Sequence, residues 1–331
     1  MAGQSAVSSQ GAGSTTTAAE GTESRRLDIL GQRNWFFLVS LIIIVPGIIS
    51  MVTQGFSLGV DFVGGSQATV YFQHPTTLAR VQQAVTQLEG NSATVQETTG
   101  GPGAGGFVIT TRVLTPKEQS TFEAALADKV GPINQGKTSY SQVGASVAQN
   151  TVRNAFAAVV LAAVLILGYL AFRFRRVPGG WRSGLQFGGS ALIALLHDIF
   201  VLAGIYSILG RFFNLPIGQI NSLFLTALLT VVGFSVHDTI VVFDRIRENM
   251  LTTRGLTFEQ TANLSLMQTL NRSIITSFTV VIVLVALLVF GGATIQGFVL
   301  ALLVGIVSGT YSSIFNATPI LVVWRRLQPL R

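Results

Sequence analysis

The chain of 331 residues is 49% hydrophobic and only 11% charged, against about a quarter charged in a soluble domain, so a polar shell could not cover its apolar surface and a bilayer is its natural solvent. Its formal charge of +7 comes from arginines clustered in short segments between apolar runs, with little aromatic interleaving; this argues against a nucleic-acid face and fits anchoring at a membrane surface. The absence of cysteine excludes disulfides, thiolate metal sites and cysteine catalysis, and three histidines (His74, His197, His237) are too few for a histidine-rich cluster, so no metal and no cofactor is expected.

Residues 1–24 are rich in Gly, Ser, Thr and Ala with almost no large apolar side chains, the composition of a disordered tail. A segment over 25–53 follows, with a first apolar run at 35–52. A spanning helix needs about 20 mostly apolar residues. The run lacks a small-residue cleavage signature at its end and reads as an uncleaved anchor.

Residues 54–150 are polar and mixed and form one domain outside the membrane. Residues 69–73 alternate like a strand, 76–88 open on Pro-Thr-Thr and continue with helix formers, and 107–113 are again strand-like. Residues 115–130 carry Pro116 in a first turn and apolar residues at helical spacing, and 139–147 are a last strand candidate. The order β-α-β-β-α-β is that of a small ferredoxin-like unit. The Gly-rich stretch 100–106 matches no phosphate-loop pattern and reads as a hairpin or loop. All three lysines (Lys117, Lys129, Lys137) lie in this domain, its charges nearly balance, and it shows no acid–base pair or nucleophile motif. It reads as a binding or lever domain.

Within 151–325 lie five further spans, at about 152–172, 188–209, 217–243, 274–290 and 298–323, followed by a tail at 326–331. Arginines fix the orientation. Arg25, Arg26 and Arg33 precede the first span, and Arg173, Arg175, Arg176 and Arg182 separate the second and third. Arg245, Arg247 and Arg254 follow the fourth, and Arg325, Arg326 and Arg331 follow the sixth. On the opposite side only Arg211 lies between the third and fourth spans and no arginine lies in 291–297, and by the positive-inside rule both termini are cytoplasmic. Trp35 and Trp324 stand beside arginines as interfacial anchors. The fold class is therefore a polytopic α-helical membrane protein of six transmembrane helices, with one small α+β ferredoxin-like external domain between helices 1 and 2.

Ionisable groups inside the apolar runs carry the most information, because a central Asp costs about 2.5–3.5 kcal/mol to insert. Asp198 sits mid-span in the third helix beside His197, and Asp238 sits in the fourth beside His237. Asp238 and Arg245 are seven residues apart and share a face, while Asp244, Glu248 and Arg247 belong to the interface. Arg272, at the opening of the fifth span, is the arginine best placed to balance Asp238. Two readings of Asp238 stay open. One is a carboxylate held by an ion pair or by Ser and Thr hydroxyls for assembly alone. The other is a proton carrier: desolvation favours the neutral form of a carboxylate and an adjacent guanidinium the charged form, so a moving Arg–Asp pair is a switch. The membrane potential supplies about 2.3 kcal/mol per charge per 100 mV to drive such a switch. The same two readings apply to Asp198, while His197 and His237 are candidate relays or plain hydrogen-bond partners. Gly305 and Gly309, with Ser312 and Ser313, form a small-residue row in the sixth span, and Gly233 and Ser235 lie about a turn before Asp238; both suit close helix packing.

The stretch Gly59-Val60-Asp61-Phe62-Val63-Gly64-Gly65 resembles the glycine motif of the SecD/SecF family of bacterial protein-export subunits, and Asp61, Gly64 and Gly65 are its motif positions. The run from Gly233 through Asp238, Asp244, Arg245 and Arg247 to Asn249 looks like the SecF-type signature at the end of the fourth helix. Asn271-Arg272-Ser273-Ile274-Ile275-Thr276-Ser277 resembles the start of that family's fifth helix, and Phe290-Gly291-Gly292 its last external turn. The resemblance spans residues 30–325. It implies pairing with SecD into a twelve-helix unit like the proton-driven RND transporters, working beside the SecYEG channel, with YajC as a further partner. It implies preproteins as substrates, the proton-motive force as drive, and a bacterial cytoplasmic (inner) membrane as location. It also carries an essential role onto Asp238 and Arg272. His237 departs from the family pattern, which has Asn before the Asp.

Three functions compete: a non-enzymatic proton-coupled export subunit, a half-transporter for small molecules or lipids, and a scaffold for the channel. The external domain of under a hundred residues leaves little room for a drug pocket. No nucleotide loop, metal constellation or nucleophile–base pair supports an enzyme.

Overall fold

A computed structural model describes residues 29–90, 93–98, 106–253 and 255–329. The tail at 1–24, Arg25, Arg26, most of the Gly-rich stretch 100–106, Arg254 and Arg331 lie outside the described residues. The chain enters on α1 (Arg33–Thr53) and passes a short helix, α2 (Val60–Val63). It then builds β1 (Gly65–Tyr71), α3 (Leu78–Glu89), β2 (Thr94–Thr98), β3 (Gly106–Thr111), α4 (Pro116–Val130) and β4 (Ser139–Val143). The helices α5 (Ala145–Arg173), α6 (Gly180–Ser207), α7 (Ser222–Thr252), α8 (Phe258–Phe290) and α9 (Ala293–Ser312) follow. A π-helical segment, Ile208–Phe212, prolongs α6, and another, Ser313–Ala317, joins α9 to α10 (Thr318–Leu327). Pro319 has no N–H to give the carbonyl four residues back, which breaks the regular ladder there.

The sheet runs β2-β3-β1-β4, antiparallel throughout, with Ala68 opposite both Ile109 and Tyr140. This is the ferredoxin-like order. α3 and α4 cover one face, burying Val70, Val81, Val85, Phe107, Ile109 and Leu126. β1 begins earlier than the alternation at 69–73 suggests, because Gly65 and Ser66 already pair with β4. The second strand had no residues assigned from the sequence; it is β2, whose Val95 lies opposite Ile109. α4 starts on a capping box in which Thr115 and Glu118 satisfy each other's backbone N–H groups. The Arg112 guanidinium, 2.8 Å from Glu118, together with Thr115, draws that carboxyl down to about 2.

Among the described residues six helical runs are long and apolar enough to cross a membrane. They sort by burial: α1, α5 and α8 lie outside with large apolar side chains exposed, and α6, α7 and the α9–α10 run lie at the centre. Phe156, Leu161, Val164 and Leu165 of α5 and Phe278, Ile282 and Val283 of α8 stand exposed on the outside of the bundle. Several helices outrun their apolar cores: α8 starts at Phe258, well before the apolar run at 274, on a capping box between Thr257 and Gln260, and Thr261, Ser265 and Thr269 donate their hydroxyls to the carbonyls four residues back as they bury against neighbours.

Glycine sets the crossing of α1 on α6. A Cβ on Gly47 would lie 2.8 Å from the Cα of Gly204, and one on Gly204 would lie 2.7 Å from that of Gly47. α1 therefore meets α6 backbone to backbone, as small-residue crossings in membranes do. Gly204→Val is expected to force the two helices apart and lower stability by roughly 1–3 kcal/mol. Thermal unfolding in detergent checks this; an unchanged midpoint would show that α1 contributes little to the bundle.

Candidate functional site

Two carboxylates stand in the central helices, and both are buried. Asp198 on α6 is wholly enclosed, and its oxygens take four contacts. Ser235 of α7 donates to Oδ2 at 2.7 Å and Ser312 of α9 at 2.6 Å. Ser308 of α9 donates to Oδ1 at 2.7 Å, and His197 Nδ1 lies 3.1 Å from the same oxygen. Each donor has a reason to be there. Ser308 and Ser312 are one turn apart and share a face of α9. Gly309, between them, lets α9 approach until an added Cβ would be 3.0 Å from the Ser235 Cβ. Gly305, one turn earlier, lies against Val231 in the same way. The small-residue row thus packs the helices and also delivers hydroxyls. His197 packs its ring near Tyr311, centroids 6.2 Å apart, and Tyr311 donates to the Phe36 carbonyl at 2.8 Å.

Asp238, on α7 one turn past Ser235, is held more lightly. Ser273 of α8 donates to Oδ1 at 2.6 Å and Ser313 donates to Oδ2 at 2.7 Å. Ser312 and Ser313, adjacent at the entry to the π segment, therefore serve one carboxylate each. Such segments recur at functional sites because they redirect side chains that a regular helix would hold apart.

The pairing of Arg272 with Asp238 expected from the sequence is not found. Arg272 is exposed, and no ion pair joins it to Asp238 among the described residues. Nor does Arg272 open its helix, since α8 begins at Phe258. Successive helical residues point about 100° apart, and it is Ser273 that turns inward. His237 is likewise exposed on the outer face of α7 and makes no hydrogen bond to Asp238 among the described residues. The residues missed by sequence reasoning are Ser273, Ser308, Ser312 and Ser313. For Ser312 and Ser313 the signal is the small-residue row of the sixth span, which from sequence reads as packing; Ser308 stands one turn before Ser312 on the same face, and Ser273, on α8, has no signal beyond its place beside Arg272.

The other motif residues bind the bundle at its arginine-rich end. Asp244 takes Arg173 and Arg247, each at 3.1 Å, and Arg245 reaches Glu248 at 2.7 Å and Gln268 at 2.6 Å. Buried Asn249 donates to Ser265 at 2.8 Å and Gln268 at 2.9 Å, fixing α7 to α8. Glu259 is shared by Arg33, at 2.8 Å, and Arg326. At the opposite end Gly64 and Gly65 adopt φ of +79° and +134°, and a Cβ on Gly65 would lie 2.7 Å from the Thr111 carbonyl oxygen. Only glycine fits that turn from α2 into β1. Asp61, just before it, accepts the Ser222 amide at 2.7 Å.

A ferredoxin-like domain inserted after the first of six spans, with hydroxyl-bound carboxylates in the central helices, defines a polytopic helical membrane protein with polar groups buried at the centre of its bundle. Residues 122–327 match the family described as protein export membrane protein SecD/SecF, C-terminal, and residues 49–76 match the SecD/SecF GG motif. A protein translocase subunit SecF of Thermobaculum terrenum is 45% identical over 92% of this chain and 96% of its own length. One from Anaerolinea thermophila is 39% identical over 90% and 94%. The crystal structure of SecDF, a translocon-associated membrane protein from Thermus thermophilus, superposes with a TM-score of 0.77 at 30% identity. It covers 91% of this chain, and the chain spans 39% of that longer protein. A SecDF structure in a super-membrane-facing form gives a TM-score of 0.61 at 28% identity. The chain belongs to the SecD/SecF family of protein-export membrane proteins, among its SecF translocase subunits.

Proposed function

We propose that this chain joins a SecD subunit in the bacterial cytoplasmic membrane and uses the proton-motive force to promote preprotein export through the SecYEG channel, with Asp238 as the group that takes up and releases the proton. The observation that carries this reading is a buried carboxylate with two hydroxyl partners and no cation against it among the described residues. An ionised group is costly in a bilayer and an approaching cation offsets that cost, so a cation that comes and goes is a means of coupling proton release and uptake to movement. Arg272 stands one residue from Ser273 on α8 and is the candidate for that cation. A partial turn of α8, or a swing of the long side chain, exchanges a hydroxyl for a guanidinium.

The pairing has support on the surface of α7. Ser222, Thr226, Thr230, Gly233 and His237 are exposed and follow one face, unlike the apolar outer faces of α1, α5 and α8. A second helical subunit is a better cover for that stripe than lipid. The clustered arginines at the end away from the sheet agree with cytoplasmic termini and an external sheet domain. The chain performs no covalent step of its own; Asp198, with its donors from α7 and α9, holds the central helices in register. YajC fits as a further partner only through the family resemblance.

The test is export into vesicles carrying the Sec channel, the SecD partner and this chain. An imposed proton gradient is expected to raise preprotein translocation several-fold, and a protonophore to abolish the gain. Equal translocation with and without the gradient would leave a scaffold as the better reading.

A further inference from the structure

The glycine motif holds an acidic residue that the proton site does not use. Asp61 lies in α2, between the end of α1 and the start of the sheet, and its Oδ2 accepts the backbone N–H of Ser222 at 2.7 Å. That amide is in the first turn of α7, where N–H groups have no partner within the helix. Asn221 satisfies the Phe224 amide at 2.9 Å, so two side chains close this helix end, one from α7's own lead-in and one from the sheet domain's stalk.

The stalk is fastened to the same place by its backbone. Gly59 donates to the Ile220 carbonyl at 2.7 Å, and Ile220 donates to the Ser57 carbonyl at 2.8 Å. A Cβ on Gly59 would lie 3.1 Å from the Asn221 Cβ, so the two segments touch without a side chain between them. Two residues past α2 the Gly64-Gly65 turn enters β1, and Gly64 packs against Ala145 at the start of α5. From the sheet, Gln67 donates to Gln219 at 2.9 Å. Stalk, sheet and the α7 end therefore meet at one joint. Asp61 brings a carboxylate from the stalk to the α7 end, and an anion there also meets the positive end of the α7 dipole.

What α7 carries matters equally. Ser222 and Asp238 are 16 residues apart, about 24 Å along an α-helix. Between them α7 is uninterrupted, so it runs unbroken from the buried carboxylate to the joint with the sheet domain.

We infer that Asp61 is a positioning residue that couples the two ends of the protein: by capping α7 it makes displacement of that helix, set by the state of Asp238, move the sheet domain. This rests on the proton reading of Asp238. The experiment uses the complex with SecD and the Sec channel in vesicles and compares Asp61→Ala, Asp61→Asn and Asp238→Asn with the unaltered chain. Asp61→Ala is expected to speed hydrogen exchange at the Ser222 amide about tenfold, the loss of one cap. It is expected to leave proton uptake in place while export loses most of its gain from the gradient. Asp61→Asn keeps an acceptor and is expected to restore both exchange protection and export. Should Asp61→Ala not assemble, Asp61→Glu, which shifts the acceptor by one methylene, is expected to reduce the gain at unchanged proton uptake. Full export gain in the Ala or Glu variant overturns the inference, and so does loss of proton uptake together with export. Were the unaltered complex to show no gradient effect at all, the proton reading itself fails, and the Ser222 exchange rate still reports whether Asp61 caps α7.

Discussion

Asp238→Asn is expected to reduce the gradient-driven gain in export to nothing while leaving the protein assembled. An asparagine occupies the same volume. Its carbonyl oxygen accepts from one of Ser273 and Ser313, and its amide donates to the hydroxyl of the other, which rotates to accept. Both hydrogen bonds survive, so the change in stability should stay within about 1 kcal/mol. The proton is what is lost, since an amide cannot exchange one in this range. Proton uptake by the reconstituted complex should fall to background together with the export gain. Normal gradient-driven export by this variant would remove Asp238 from the proton path, whatever its burial. Asp238→Leu is a useful contrast: it strips both serines of their acceptor, and loss of assembly there, beside intact assembly of the Asn variant, separates the hydrogen bonds from the proton.

The sequence disclosed the six spans because a bilayer demands long apolar runs, and it disclosed the α+β order because Pro116 and the strand alternations are local signals. It disclosed both carboxylates because a charge in an apolar run is costly and stands out, while leaving open whether each serves assembly or proton carriage. What it withheld depends on the third dimension. Arg272 and Ser273 are neighbours in sequence, and formal charge singles out the arginine, yet about 100° of helical rotation turns the serine inward and the arginine out. The four contacts to Asp198 come from its own neighbour and from positions 235, 308 and 312, a convergence that no spacing rule reveals. The extension of α8 back to Phe258 was hidden because hydroxyls that bond to their own backbone count as polar in sequence and behave as neutral once packed. Asp61 was visible as part of a motif, but its partner, a bare amide at position 222, carries no sequence signal.

Asp198 should respond to substitution in the opposite sense from Asp238. Its oxygens gather α7 and α9 onto α6 through Ser235, Ser308 and Ser312, and the carboxylate is fully enclosed. Asp198→Leu removes the common acceptor. Ser312 already shares its hydroxyl with the Gly309 carbonyl at 3.2 Å, so part of the loss is recovered within the helix. Ser235, Ser308 and His197 have further to go, and leucine's branched end meets polar groups where an acceptor stood. The expected cost is about 2–4 kcal/mol, read as a lower unfolding midpoint and reduced assembled protein. Asp198→Asn keeps an acceptor for Ser308 and offers an amide to the hydroxyls of Ser235 and Ser312, which can each turn to accept. It is expected to retain both assembly and most of the gradient-driven export gain, in contrast to the same change at position 238. The comparison of the two Asn variants decides what each buried acid is for. If Asp198→Asn assembles normally and yet loses proton uptake, Asp198 is a second proton station, and Ser312 and Ser313, side by side at the start of the π segment, become the bridge between the two.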